Sequence, residues 1–258
     1  MSPADVALLV GGGILAGVVN TLAGGGSLLT VPLLVVLGLP GTIANGTNRV
    51  GILVQSLVAS RGFRARGVSG FRAALPLLVP VLAGSVVGAL AVARWLHDIA
   101  AEIGVDPDAT FERLFGVVML LLLVPTLRRA SPAPDAPPAR GWSPATRAIV
   151  FFGIGVYGGA FQAGVGILLL FALSHAGLDL VRANAIKMVV VAALTAVAVP
   201  VFVLEHQIEW LPAAVLACGY AAGGALGASL AVQRGERLIR PVLAASVLAL
   251  AGSMLGLY

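Results

Sequence analysis

The only lysine of this chain, Lys187, lies inside an apolar run, three residues after Asn184. The same kind of step occurs in the first half, where Asn45 is followed by Asn48 and Arg49. Asn45 and Asn184 are 139 residues apart, and so are a second pair of matching segments that begin at Gly84 and Gly223. The chain therefore reads as a duplication, with an amide and a cation in each half where apolar residues are expected. On the mildest insertion scale a charge in hydrocarbon costs about 2.5–3.5 kcal/mol. A charge retained at that cost needs a partner or a substrate.

The surrounding composition puts the duplication in a membrane. Hydrophobic residues make up 59% of the chain and charged residues 10%, with a mean hydropathy of +1.02, far from a soluble domain. The apolar runs begin near Val6, and the opening residues Met1 to Asp5 lack a basic stretch, so no cleaved signal peptide is expected. A single cysteine, Cys218, excludes an intrachain disulfide and reads as a small packing residue. The net charge of +5 is dispersed over loops, which points to membrane orientation rather than nucleic acid.

Five apolar segments are expected per half. In the first they run over Val6–Ala23, Ser27–Leu39, Ile43–Ser60, Phe71–Ala93 and Phe111–Leu127. In the second they run over Thr146–Ala163, Ile167–Leu178, Ala183–Leu204, Leu211–Val232 and Leu238–Leu257. Most reach the roughly 20 residues of a spanning helix, but the second segment of each half is too short. Each short segment follows glycines, Gly24-Gly25-Gly26 in one half and Gly164 and Gly166 in the other. Such segments fit broken or re-entrant helices. The expected domains are a first membrane repeat over 1–130, a proline-rich cytoplasmic linker over 131–143, and a second repeat over 144–258.

Loop charge supplies orientation. Arg61, Arg64, Arg66 and Arg72 place one loop in the cytoplasm, and Asp98, Glu102, Asp106, Asp108 and Glu112 mark the next as an external loop. Equivalent loops of the second half have the opposite charge, with Glu205 and Glu209 first and Arg234, Arg237 and Arg240 next. The fold class expected is an all-α polytopic membrane protein of two inverted-topology repeats. Five spans per half, or three plus a re-entrant hairpin, both satisfy it.

The candidate substrate-binding residues fall into four groups. They are Asn20 with Gly24, Gly25, Gly26 and Ser27; Gln162 with Gly164 and Gly166; Asn45, Thr47, Asn48 and Arg49; and Asn184 with Lys187. Interrupted helices offer N-terminal dipoles and unpaired N–H groups to an anion. The amides and hydroxyls add hydrogen bonds, and the two cations add countercharge. The competing reading of each is structural: glycines for tight crossing, asparagines as interhelical bonds, cations that snorkel. Metal and catalytic chemistry find no support. His97, His175 and His206 lack ligand spacing, no Asp or Glu falls mid-span, and the glycine runs lack the Gly-Lys-Ser/Thr of a nucleotide-binding loop. No metal or other cofactor is expected, and no enzymatic activity.

These motifs resemble the TauE/SafE family of sulfite exporters. The likeness lies in the first-half stretch from Ala16 through Asn20, Gly24-Gly25-Gly26-Ser27 and Pro32, then Leu37-Gly38-Leu39-Pro40, and Ala44-Asn45-Gly46-Thr47-Asn48. Gly164 to Gly166 and Arg182 to Lys187 supply the second-half counterpart, and the likeness covers essentially the whole chain. The second glycine run, Ala163-Gly164-Val165-Gly166, is shorter than the family's usual one. The resemblance implies a multi-pass bacterial inner-membrane permease for small sulfur-containing anions such as sulfite or organosulfonates. Its partners would be that anion and the lipid bilayer, with no nucleic acid, and the glycine-rich faces would suit a homodimer. An anion channel, a carrier of another small anion such as a carboxylate, and a membrane accessory subunit are the alternatives.

Overall fold

A computed structural model describes residues 1–115, 117, 142–235 and 238. Among them the first half forms α1 (Pro3–Leu22), α2 (Ser27–Val36), α3 (Gly41–Ala65) and α4 (Phe71–Leu90). α4 continues through a π turn at Ala91–Trp95 into α5 (Leu96–Ile103). The second half forms α6 (Pro144–Ala160), α7 (Val165–His175), α8 (Leu180–Leu204) and α9 (Trp210–Arg234). No strand occurs among the described residues. The chain is an all-α polytopic membrane protein. Among the described residues four helical stretches are long and apolar enough to cross a bilayer: α1, the continuous α4–α5 rod, α8 and α9. Most of the expected fifth segments (Phe111–Leu127 and Leu238–Leu257) and of the 131–143 linker lie outside the described residues.

Local chemistry sets the helix ends. Ser2 and Asp5 form a reciprocal capping box with Pro3 in the first turn of α1. Ser143 caps α6 and Asp179 caps α8 through their side-chain oxygens. The interval expected as an acidic loop is instead helical. Asp98 and Glu102 belong to α5, and a further helical stretch covers 107–115. No glycine or proline interrupts residues 91–103, so the helix runs on until Gly104 ends it in the left-handed region.

Contacts between small residues reveal helix direction. α1 and α9 run the same way: Gly13 meets Gly219, Gly17 meets Gly223 and Thr21 meets Gly227. α3 runs with α9, Gly51 lying on Tyr220 and Gly62 on Ala228. α4 runs with α6, Val81 meeting Gly155 and Ser85 meeting Gly159. α3 opposes α8, because Gly46 near its start touches Gln207 beyond the end of α8, and Gly70 beyond its own end touches Ala185 near the start of α8. So α1, α3 and α9 point one way and α4, α6 and α8 the other. α3 and α8 start exactly 139 residues apart, at Gly41 and Leu180, as do α4 and α9, at Phe71 and Trp210.

The short helices do not span. α2 folds back along α1, with Leu33 against Gly12 and Gly26 against Ala16 and Asn20. α7 folds back along α6: Val165 lies against Gly158 at one end, and at the other Trp142 stacks on His175 with ring centroids 5.0 Å apart. Two re-entrant hairpins thus enter from opposite ends, and their tips touch where Gly24 abuts Gly166. A Cβ on either glycine would collide with the backbone of the other.

Candidate functional site

The site is built around the two hairpin tips. At the first, α1 ends at Leu22, and Gly24 turns the chain with φ +93°, a conformation glycine adopts without strain. At the second, α6 ends at Ala160, and the turn uses Gly164 at φ +71° and Gln162 at φ +61°. A left-handed conformation at Gln162 costs on the order of 1–3 kcal/mol, so its surroundings must hold it there. They do so through both ends of its amide. Oε1 accepts from Arg49 at 3.1 Å, and Nε2 donates to Thr195 Oγ1 at 3.0 Å.

Each cation comes from the other half. Arg49 on α3 donates to the carbonyls of Gly158, Gly159 and Ala160 at 3.0, 2.6 and 2.9 Å. Its guanidinium also lies 4.3 Å from the ring centre of Phe202 on α8. Lys187 on α8 donates to the carbonyls of Asn20 and Thr21 at 2.8 and 3.0 Å. Asn20 and Gly159 are 139 residues apart, and so are Thr21 and Ala160. The two cations therefore cap equivalent helix C-termini, where carbonyls lack intrahelical partners and the helix dipole is negative. The asparagines assist, with Asn45 donating to Ala160 O at 2.9 Å and Asn184 to Leu22 O at 3.2 Å. Both Arg49 and Lys187 are fully buried, and no Asp or Glu is buried among the described residues.

The N-terminal ends of α2 and α7 meet at the same place. The backbone N–H groups of Gly25, Gly26, Ser27, Gly164 and Gly166 are buried and have no hydrogen-bond partner among the described residues. Asn48 Nδ2 and Arg49 Nε are likewise buried without partners, as are the Oδ1 atoms of Asn45 and Asn184. Unpaired polar groups at membrane depth cost several kcal/mol each unless a ligand or water meets them. Two half-helix N-termini and surplus donors give this region the chemistry that favours an anion.

Of the residues expected from sequence, thirteen gather at the tips or in the α3 and α8 turns beside them. Thr47 does not. Its hydroxyl accepts from the Glu209 N–H at 3.0 Å and anchors the start of α9. The structure adds residues that sequence reading passed over. Gln55 accepts from Asn20 Nδ2 at 2.7 Å and donates to Thr21 Oγ1 at 2.7 Å. Thr30 donates to Asn48 Oδ1 at 2.7 Å and lies 2.8 Å from the Tyr220 hydroxyl. Gln55 follows Asn48 by two helical turns, a spacing that marks it as part of the same face. Tyr220 carries no such signal, because an aromatic residue in an apolar helix usually belongs to the core.

A family model described as sulfite exporter TauE/SafE matches residues 9–254. A probable membrane transporter protein of Haemophilus influenzae is 26% identical, the match covering 92% of this chain and 89% of that one. A probable membrane transporter protein of Sinorhizobium, ORF9, is 26% identical, with 95% and 90% covered. The probable membrane transporter protein YfcA of Escherichia coli K12 is 27% identical, with 94% and 87% covered. No solved structure matches significantly.

Proposed function

The chain belongs to the TauE/SafE family and is a multi-pass membrane transporter rather than an enzyme; from that premise we infer that it carries small sulfur-containing anions across the bacterial inner membrane by alternating access. One observation carries the reading: two buried cations flank the converging N-termini of two half-helices, and no buried carboxylate balances them among the described residues. Each cation faces a helix C-terminus worth roughly half a negative charge, and each half-helix N-terminus adds roughly half a positive one. The balance is about two positive charges, which suits a sulfite-like divalent anion or a strongly polar sulfonate. Arg49, Asn48 and the tip N–H groups are the donors such an oxyanion would use.

The opposite running of equivalent helices supports alternating access. Hairpins that enter from opposite ends and meet tip to tip leave the site reachable from either side by rocking one half against the other. The mechanism then divides between the cations and the backbone. Arg49 and Lys187 hold the tips of the opposite half, and the tips present their N–H groups to the anion.

The test has two parts. A thermal-shift panel on purified protein, with sulfite, sulfate, thiosulfate, taurine, sulfoacetate and acetate, identifies the ligand by the stabilisation it produces. Proteoliposomes loaded with that ligand then report the mode of movement. Saturable uptake stimulated by counter-flow is expected. Ohmic currents would make the protein a channel, and stabilisation by acetate alone would move the substrate class to carboxylates.

A further inference from the structure

A cavity lies away from the hairpin tips, at the end of the molecule where α3 and α9 begin and α4 and α8 finish. Its volume is about 300 Å³, at the small end for sites that hold small molecules. Four separate chain segments line it. Thr42 comes from α3, Arg94 and Asp98 from the π turn and α5, Asp108 from the 107–115 helix, and Glu205 and Gln207 from the α8–α9 loop.

Much of this polar lining is already matched. Asp108 Oδ1 accepts from both the backbone N–H and the hydroxyl of Thr42, at 2.9 and 2.7 Å. Arg94 sits 3.9 Å from Asp98. Gln207 Nε2 donates to Ala93 O at 2.8 Å and lies 3.4 Å from His97 Nδ1. What is left over is acceptor. Gln207 is 5% exposed, and its Oε1 has no partner. The Glu205 carboxylate has no ion pair or hydrogen bond among the described residues. Three carboxylates, Asp98, Asp108 and Glu205, face one arginine across the cavity. No three His, Cys, Asp or Glu side chains among the described residues converge to hold a metal ion. Unmatched acceptors in an acidic cavity without metal-ligating geometry call for a cation that carries its own N–H donors.

We propose that this cavity binds a small organic amine in its ammonium form, at Glu205 and Gln207 Oε1, separately from the anion site. The α8–α9 loop that floors the cavity also reaches α3. The Gln207 carbonyl packs against Gly46, and the Glu209 N–H donates to Thr47. The cavity's α3 residue, Thr42, lies one helical turn before Asn45 and two before Arg49.

The experiment titrates the full chain in detergent with ethanolamine at constant ionic strength and follows thermal stability. Tetramethylammonium, a cation without N–H donors, is the control. Saturable stabilisation by ethanolamine and none by tetramethylammonium is expected, with Glu205→Gln weakening the ethanolamine response at least tenfold. Asp98→Asn, an exposed position, gives a second readout and should weaken it about threefold. An equal response to both cations, or wild-type affinity in both variants, would overturn the proposal. Sulfite added to the same samples keeps the two sites apart. A sulfite response that survives Glu205→Gln supports separate sites, whereas its loss in that variant would mean that the cavity and the tips form one site, against the proposal.

Discussion

The two hairpin tips perform one task with different chemistry. The tip between α1 and α2 is turned by three consecutive glycines and capped by a lysine through two carbonyls. The tip between α6 and α7 is turned by a strained glutamine and a single left-handed glycine, and an arginine caps it through three carbonyls and the glutamine side chain. Lysine is a compact point charge with three rotatable donors, and arginine a planar fork with five. The second tip is therefore held in one geometry, and the first has more freedom around its ammonium. The device is the same at both tips, a cation from one half capping a helix of the other, while the residues differ.

The tip-to-tip contact is where that comparison breaks most readily. Gly24→Ala should have the largest effect, since it adds strain at φ +93° and a clash with Gly166. A fall of several degrees in melting temperature, with anion stabilisation lost, is expected. A variant that melts and responds like wild type would show that the tips do not depend on close approach. Arg49→Ala comes next. It removes the donor from Gly158 O, Gly159 O and Gln162 Oε1, Ala160 O keeping Asn45, at about 1–3 kcal/mol for each one left unsatisfied, and should weaken sulfite binding more than tenfold, about 1.4 kcal/mol. Arg49→Lys sharpens the contrast, because one ammonium cannot serve all four oxygens; partial recovery of stability is expected.

Lys187→Ala should destabilise less than Arg49→Ala, because two buried oxygens lose their donor rather than three, Gly158 O, Gly159 O and Gln162 Oε1. Paired melting curves decide it, and equal losses would mean that the two tips are equivalent. Tyr220→Phe removes one hydroxyl from the Thr30–Asn48 cluster and should cost about 1 kcal/mol of stability. The smallest effect belongs to Arg64→Ala at the arginine-rich end, where anion affinity measured by titration should stay within twofold. A larger loss would draw that end into the binding path.

Sequence alone determined the membrane class, the family and the neighbourhood of the site. Those follow from hydropathy, from the glycine-rich breaks and from amides and cations placed where lipid would reject them, all of which are local properties. Gln162 could be picked out for its place beside a break, and Asn45, Asn184, Arg49 and Lys187 for their cost in an apolar run. Only the tertiary structure decided what those residues touch. That the short helices turn back, that each cation caps a helix 109 to 167 residues away in the chain, and that Thr47 serves α9 rather than the tips are outcomes of packing. A helix C-terminus attracts any nearby cation, and the sequence does not record which carbonyls a side chain will reach until the helices are laid against one another.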